Sequence, residues 1–279
     1  MKRSVARITP LILVLTLGAT GCGVVNRIRA KNELNEAARS YKEGKFAEAQ
    51  QHSERALELD PNQKVAPSFI ARSIHAQYKQ GVDTPENKAR ARAAIDAYKR
   101  ILEKDPNNDE AYKAVAALLG FIGESDEQLK WITDRAVNET VDPSKRSEAY
   151  TFLASKQWQC SFDVTEQKAN QQTVTQDGKT IITFKKPADP KQFDEAQQCV
   201  AKGMQQIETA IKLDPNNDRA WGYKTNLLLE QAKLLEMDGK KDQAAVYKKK
   251  ADEAQQKTKE LHEQKKQEED LKKTPAAKS

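Results

Sequence analysis

Apolar residues recur along most of the chain at steps of three and four. This predicts amphipathic helices at about 26–43, 46–59, 64–80, 86–104, 108–121, 125–138, 144–159, 190–213, 217–237 and 241–265. Between several of these stretches the chain repeats a phrase: Leu59-Asp60-Pro61-Asn62, Lys104-Asp105-Pro106-Asn107-Asn108-Asp109 and Leu213-Asp214-Pro215-Asn216-Asn217-Asp218, with Val141-Asp142-Pro143-Ser144 as an echo. Pro cannot continue a helix, and Asp and Asn supply oxygens that cap the next one, so each copy marks a corner between two helices. The helical pattern breaks over roughly 160–190. There Thr173-Val174-Thr175 and Thr180-Ile181-Ile182-Thr183-Phe184 flank Asp177-Gly178, which predicts a β-hairpin with a two-residue turn. An isolated hairpin is marginal in water, so this one is expected to lean on the helices.

The corner prolines are spaced at 45, 37 and 72 residues. A helix-pair unit of about 34 residues accounts for these intervals if insertions of roughly 11, 3 and 38 are allowed. In that register Ala37, Gly44, Ala49 and Ala56 fall where small residues let two helices touch. Ala94 and Tyr98 repeat part of the pattern, and Tyr112 and Trp221 each sit six residues after a corner Pro. Over roughly residues 30–255 the chain resembles tetratricopeptide repeats. It departs from them at Glu33, which stands at the aromatic position, at Thr225, which replaces a small residue, and at the Pro143 copy, which runs one residue late. The resemblance implies an all-α solenoid of about five helix pairs, a superhelix with a concave groove, carrying the hairpin as an insertion in the fourth pair. The insertion of about 11 is expected around Gly81–Pro85, as a lengthened turn inside the second pair.

In the same register Arg72, His75, Lys113 and Asn226 fall on the groove side. The Lys and Asn clamp by which some relatives grip a terminal carboxylate is missing, since the matching pairs read Leu34/Ala38, Ser68/Arg72, Lys113/Ala117 and Gly222/Asn226. A ligand held by shape is the expectation. The register also suggests a disulfide. Cys160 falls where the first helix of the fourth pair should end and Cys199 where the second should start, so the bond would staple the base of the insertion. The alternative is two reduced thiols packed as small apolar residues.

Residues 1–21 read as a processing segment. Lys2, Arg3 and Arg7 precede the apolar run Ile8–Leu17, and Ala19-Thr20-Gly21 abuts Cys22. The apolar run is about half the length of a transmembrane helix. Small residues before a Cys resemble a bacterial lipoprotein signal, which implies acylation of Cys22 and anchorage at a membrane. Gly23 in place of Asp implies the outer membrane, facing the periplasm. A plain secretory signal and an uncleaved anchor are the alternatives. An exported chain also makes the disulfide permissible. Residues 22–29 form a short lead-in to the first repeat, and residues 256–279 are expected as a charged helical extension ending in a disordered tail.

The net charge is +6, and three of the cations lie in the segment expected to be removed, so no nucleic-acid partner is expected. His52, His75 and His262 lie on separate predicted helices without a ligating neighbour at i+3 or i+4, so no metal is expected, and no cofactor or small-molecule substrate either. Two function classes follow. The first is a non-enzymatic scaffold presenting its groove to other envelope proteins. The second is an enzyme, or an enzyme's regulatory subunit, with chemistry in the insertion, whose candidate carboxylates are Asp163, Glu166, Asp177 and Asp189.

Overall fold

The computed structural model describes residues 17–176 and 179–273. Among them are ten α-helices: α1 (Leu17–Lys42), α2 (Phe46–Leu59), α3 (Ala66–Gln77), α4 (Pro85–Lys104), α5 (Asp109–Phe121), α6 (Ser125–Val137), α7 (Pro143–Thr165), α8 (Pro190–Leu213), α9 (Asp218–Met237) and α10 (Lys241–Lys273). Strands β1 (Gln171–Gln176) and β2 (Lys179–Phe184) stand between α7 and α8. The fold is all-α, a tetratricopeptide-type array of helix pairs with one small hairpin. Most of the expected processing segment, the turn residues Asp177 and Gly178, and the expected disordered tail at 274–279 lie outside the described residues. So does the side chain of Cys22, whose backbone belongs to α1. Two compact units divide between Gln128 and Leu129.

In the N-terminal unit α1 packs on α2, α2 on α3, α3 on α4 and α4 on α5. Alanines recur on the buried faces, where Ala30, Ala37, Ala49, Ala56, Ala66, Ala71, Ala91 and Ala94 are fully buried beside larger residues such as Ile95, Val115, Leu118 and Leu119. Side chains at the contact set the distance between two helices, so alanines let the backbones approach closely. Gly44 is not one of these contacts. It sits in the turn between α1 and α2 at φ +76°, with no neighbour near a Cβ there, so its role is conformational.

The repeated phrase builds one kind of corner. Asp60, Asp105 and Asp214 end α2, α4 and α8, each donating its backbone N–H to the carbonyl four residues back. Asn108 and Asn217 then cap α5 and α9, accepting from the N–H groups of Ala111 and Ala220 at 3.0 and 3.1 Å. The copy at Pro61 lacks the second Asn, and α3 starts at Ala66 without a side-chain cap. The echo works differently: Asp142 caps α7 through the N–H of Ser144, and Pro143 is the first helical residue. The lengthened turn falls at Gly81–Thr84, as expected. Buried Asn87 closes it, accepting from the N–H of Lys79 at 2.9 Å and donating to the carbonyls of Lys79 and Val82 at 2.7 and 2.8 Å.

In the C-terminal unit α7 and α8 run antiparallel, Ser147 donating to the carbonyl of Ala210 at one end and Cys160 joined to Cys199 toward the other. Helix α9 packs on both, and α10 packs on α9. The sequence expectation placed the cysteines at the helix ends and read residues from 160 onward as non-helical. Instead α7 continues to Thr165, and α8 spans the 190–213 predicted from the apolar period, so Cys199 lies nine residues inside it. Val164, Phe193, Ala196 and Val200 keep burying apolar surface against Leu234 and Met237 of α9, which makes the longer helices favourable. The disulfide therefore links the two helices inside the pair, with the hairpin beyond it.

The hairpin pairs Thr173 with Ile182 and closes at Gln176 and Lys179, the two-residue connection expected of Asp-Gly. It leans on α9, as an isolated hairpin must. Phe184 packs against the cluster just described, and Lys186 pairs with Asp238. Helix α10 runs on to Lys273. Ala251 and Ala254 pack with Leu228, Leu261 is buried, and Lys265 reaches Asp218, so the charged extension is packed as far as these contacts.

Candidate partner-binding groove

The first helices of the N-terminal pairs, α1, α3 and α5, together with Tyr98 of α4, line a groove of about 580 Å³. The spacing that buries alanine on one face of α1 and α3 puts Ala38, Tyr41 and Lys42, and Phe69, Arg72, His75 and Ala76, on the neighbouring face. The result is an aromatic floor. Tyr41 meets Phe69 edge-on at 6.5 Å between ring centres, and His75 meets Tyr98 edge-on at 5.9 Å. The Nδ1 of His75 lies 3.3 Å from the Tyr98 hydroxyl.

Burial disfavours the charged form of both rings. It holds His75 below its ordinary range and pushes the Tyr98 phenol up to about 12, with the Glu110 carboxylate adding to the latter. The floor is therefore neutral near pH 7. The charge of the groove sits on its rim, where the guanidinium of Arg72 grips Glu110 in two parallel bonds, Nε to Oε1 at 2.7 Å and Nη2 to Oε2 at 2.6 Å. This pairing raises the Arg72 pKa and lowers that of Glu110. Both ends are half exposed, so the pair orients more than it stabilises.

Of the four residues that the repeat register assigned to the groove, Arg72 and His75 line it. Lys113 does not: its ammonium pairs with Asp109, one turn back on α5, at 2.7 Å. Asn226 belongs to the C-terminal unit, half buried on α9. Phe69 and Glu110 were missed. The register marked Ser68 and Arg72 as groove positions, and Phe69, beside them, was the available signal. Glu110 is legible only through an ion pair spanning 38 residues.

The carboxylates considered for the insertion are dispersed into structural roles. Asp163 accepts from Gln159, Glu166 pairs with Lys233, and Asp189 caps α8, while Asp177 lies outside the described residues. Among the described residues no group of three His, Cys, Asp or Glu could hold a metal, and no helix is long and apolar enough to cross a membrane.

No protein-family model matches the chain, and no curated relative does. It is similar to solved structures of MamA from Desulfovibrio magneticus RS-1 (14% identity, TM-score 0.35, 82% of this chain and 96% of that one) and PilF from Pseudomonas aeruginosa (14%, 0.36, 80% and 90%). A tetratricopeptide repeat protein from Parabacteroides merdae shows 12% identity and a TM-score of 0.35, over 84% and 97% of the two chains.

Proposed function

We propose that this protein is a non-enzymatic scaffold of the bacterial cell envelope, anchored to a membrane through acylated Cys22 and holding a segment of a partner protein in the groove of its N-terminal unit. The observation that carries the reading is the groove itself. It is open, about 580 Å³, floored by neutral aromatic rings and edged by a fixed ion pair. Such a surface accepts an apolar side chain on a helix or extended segment. Ala19-Thr20-Gly21-Cys22, after a basic start and a short apolar run, supports the anchor, and Gly23 supports an outer-membrane destination facing the periplasm. More than one acyl chain would hold it there stably.

Two measurements test this. Cys22→Ser should abolish incorporation of labelled lipid and release or stall the precursor; lipid uptake by the variant overturns the anchor. Affinity capture from detergent-solubilised envelope should recover a partner with the parent chain and lose it with Phe69→Ser or Tyr41→Ser. Equal recovery by all three removes the groove from the interaction.

A further inference from the structure

Helix α1 has two faces that bury different things. Ala30, Leu34 and Ala37 point into the contact with α2 and α3. At about 100° per residue, Val24, Val25 and Ile28 share the opposite face. They are left 57%, 46% and 58% exposed. Scattered surface aliphatics are ordinary, but these three are contiguous. They are also confined to the two turns after Cys22. The same outer face turns polar further along, at Asn32, Asn35 and Arg39.

Charge is distributed in the same way. Arg27 and Lys31 border the aliphatic stripe on one side and Arg29 on the other, all three exposed, and the chain has no acidic residue before Glu33. A narrow apolar stripe flanked by cations on long stems suits the boundary between lipid headgroups and acyl chains. There the aliphatics sink and the cations reach the phosphates. A protein partner of such a face would need a negative rim of its own; a bilayer containing anionic lipid supplies one everywhere.

We propose that the first turns of α1, from Val24 to Lys31, lie on the surface of an anionic lipid bilayer. This rests on the reading that the chain is held at a membrane, and it adds that the protein has no tether. The helix that leaves the anchor is the helix that opens the first repeat, so docking its outer face fixes the orientation of that helix to the membrane plane.

The test uses the chain from residue 22 onward with Cys22→Ser, which carries no lipid and keeps Ala30, Leu34 and Ala37. It is mixed with vesicles of phosphatidylglycerol and phosphatidylethanolamine, or of phosphatidylcholine alone. Binding to the anionic vesicles is expected, weakening by about tenfold or more in Val24→Ser/Val25→Ser/Ile28→Ser and with added salt. A polarity-sensitive dye on Ile28→Cys should shift to the blue on these vesicles, and the same dye on Asn35→Cys should not. No binding to anionic vesicles at low salt, equal binding by the triple variant, or equal response of the two dyes overturns the proposal. So does a concentration-dependent dimer abolished by the triple variant, which assigns the face to a second copy. Because no lipid is attached, a failure here leaves Cys22 acylation standing, and a failure of lipid labelling in cells leaves this result standing.

Discussion

Gly203 on α8 lies so close to Leu227 on α9 that a Cβ added to it would sit 2.7 Å from Leu227 Cδ2, and 3.1 Å from the Cβ of Gln157 on α7. Leu227 is fully buried and the Gln157 Cβ is fixed by its helix, so neither has room to yield. Gly203→Ala should therefore destabilise the C-terminal unit. Overpacking costs about 1–3 kcal/mol. The helix propensity regained is at most about 1 kcal/mol. Urea denaturation checks this, and Leu227→Val in the same chain should recover part of the loss.

The carboxylate of Glu230 is 2% exposed and accepts from Thr165 Oγ1 at 2.8 Å, Ser161 Oγ at 3.1 Å and Lys233 Nζ at 2.7 Å. Lys233 also pairs with Glu166 and lies over the rings of Phe162 and Phe184, so one ammonium joins α7, α9 and the hairpin. Lys233→Met strands a buried charge and should cost about 3–5 kcal/mol. Adding Glu230→Gln should give part of that back. Additive losses in a double-mutant cycle would mean that the two side chains act independently.

Helix pairs, corners and the hairpin turn were legible in the sequence because each depends on local chemistry: the period of apolar residues, Asp-Pro-Asn, Asp-Gly. What stayed hidden depends on distant contacts. The extension of α7 to Thr165 follows from Leu234 and Met237, some seventy residues on. Gly203 falls in a stretch that reads as an ordinary helix and is explained only by Leu227. Of the positions the repeat register put on the groove side, Arg72 and His75 line the pocket described, while Lys113 pairs with Asp109 on its own helix.

Joining Cys160 to Cys199, 6.1 Å apart at Cα, closes a separation of 39 residues. On the chain-entropy account this is worth about 4 kcal/mol. Cys160→Ser/Cys199→Ser should lower the urea midpoint of the C-terminal unit accordingly, and non-reducing peptide mapping of exported protein should recover the two peptides joined. Two alkylatable thiols there would show that the bond does not form.

Acid should weaken the N-terminal unit before its carboxylates are protonated. Burial lowers the pKa of His75 in the folded chain, so just below about pH 6.5 the unfolded chain takes up a proton that the folded chain refuses. Stability is full above that value and falls as the pH drops through it. His75→Gln should remove this part of the pH dependence between pH 7.5 and 5.5. An identical slope in both proteins would assign the effect to another group. The carboxylates held low by ion pairs, Glu110 and Glu127, lose their contribution only at more acidic pH.

In the N-terminal unit helices pack on their immediate successors, so its contacts are local and should form quickly. The pairing of α7 with α8 is different, because the segment carrying the hairpin must be made before Cys199 can reach Cys160. For that interval Cys160 is an unpaired thiol. With three cysteines in the chain, three different bonds could form. If Cys22 carries lipid on its sulfur, one partner remains, and the correct bond is reached by elimination, with no wrong bond to undo.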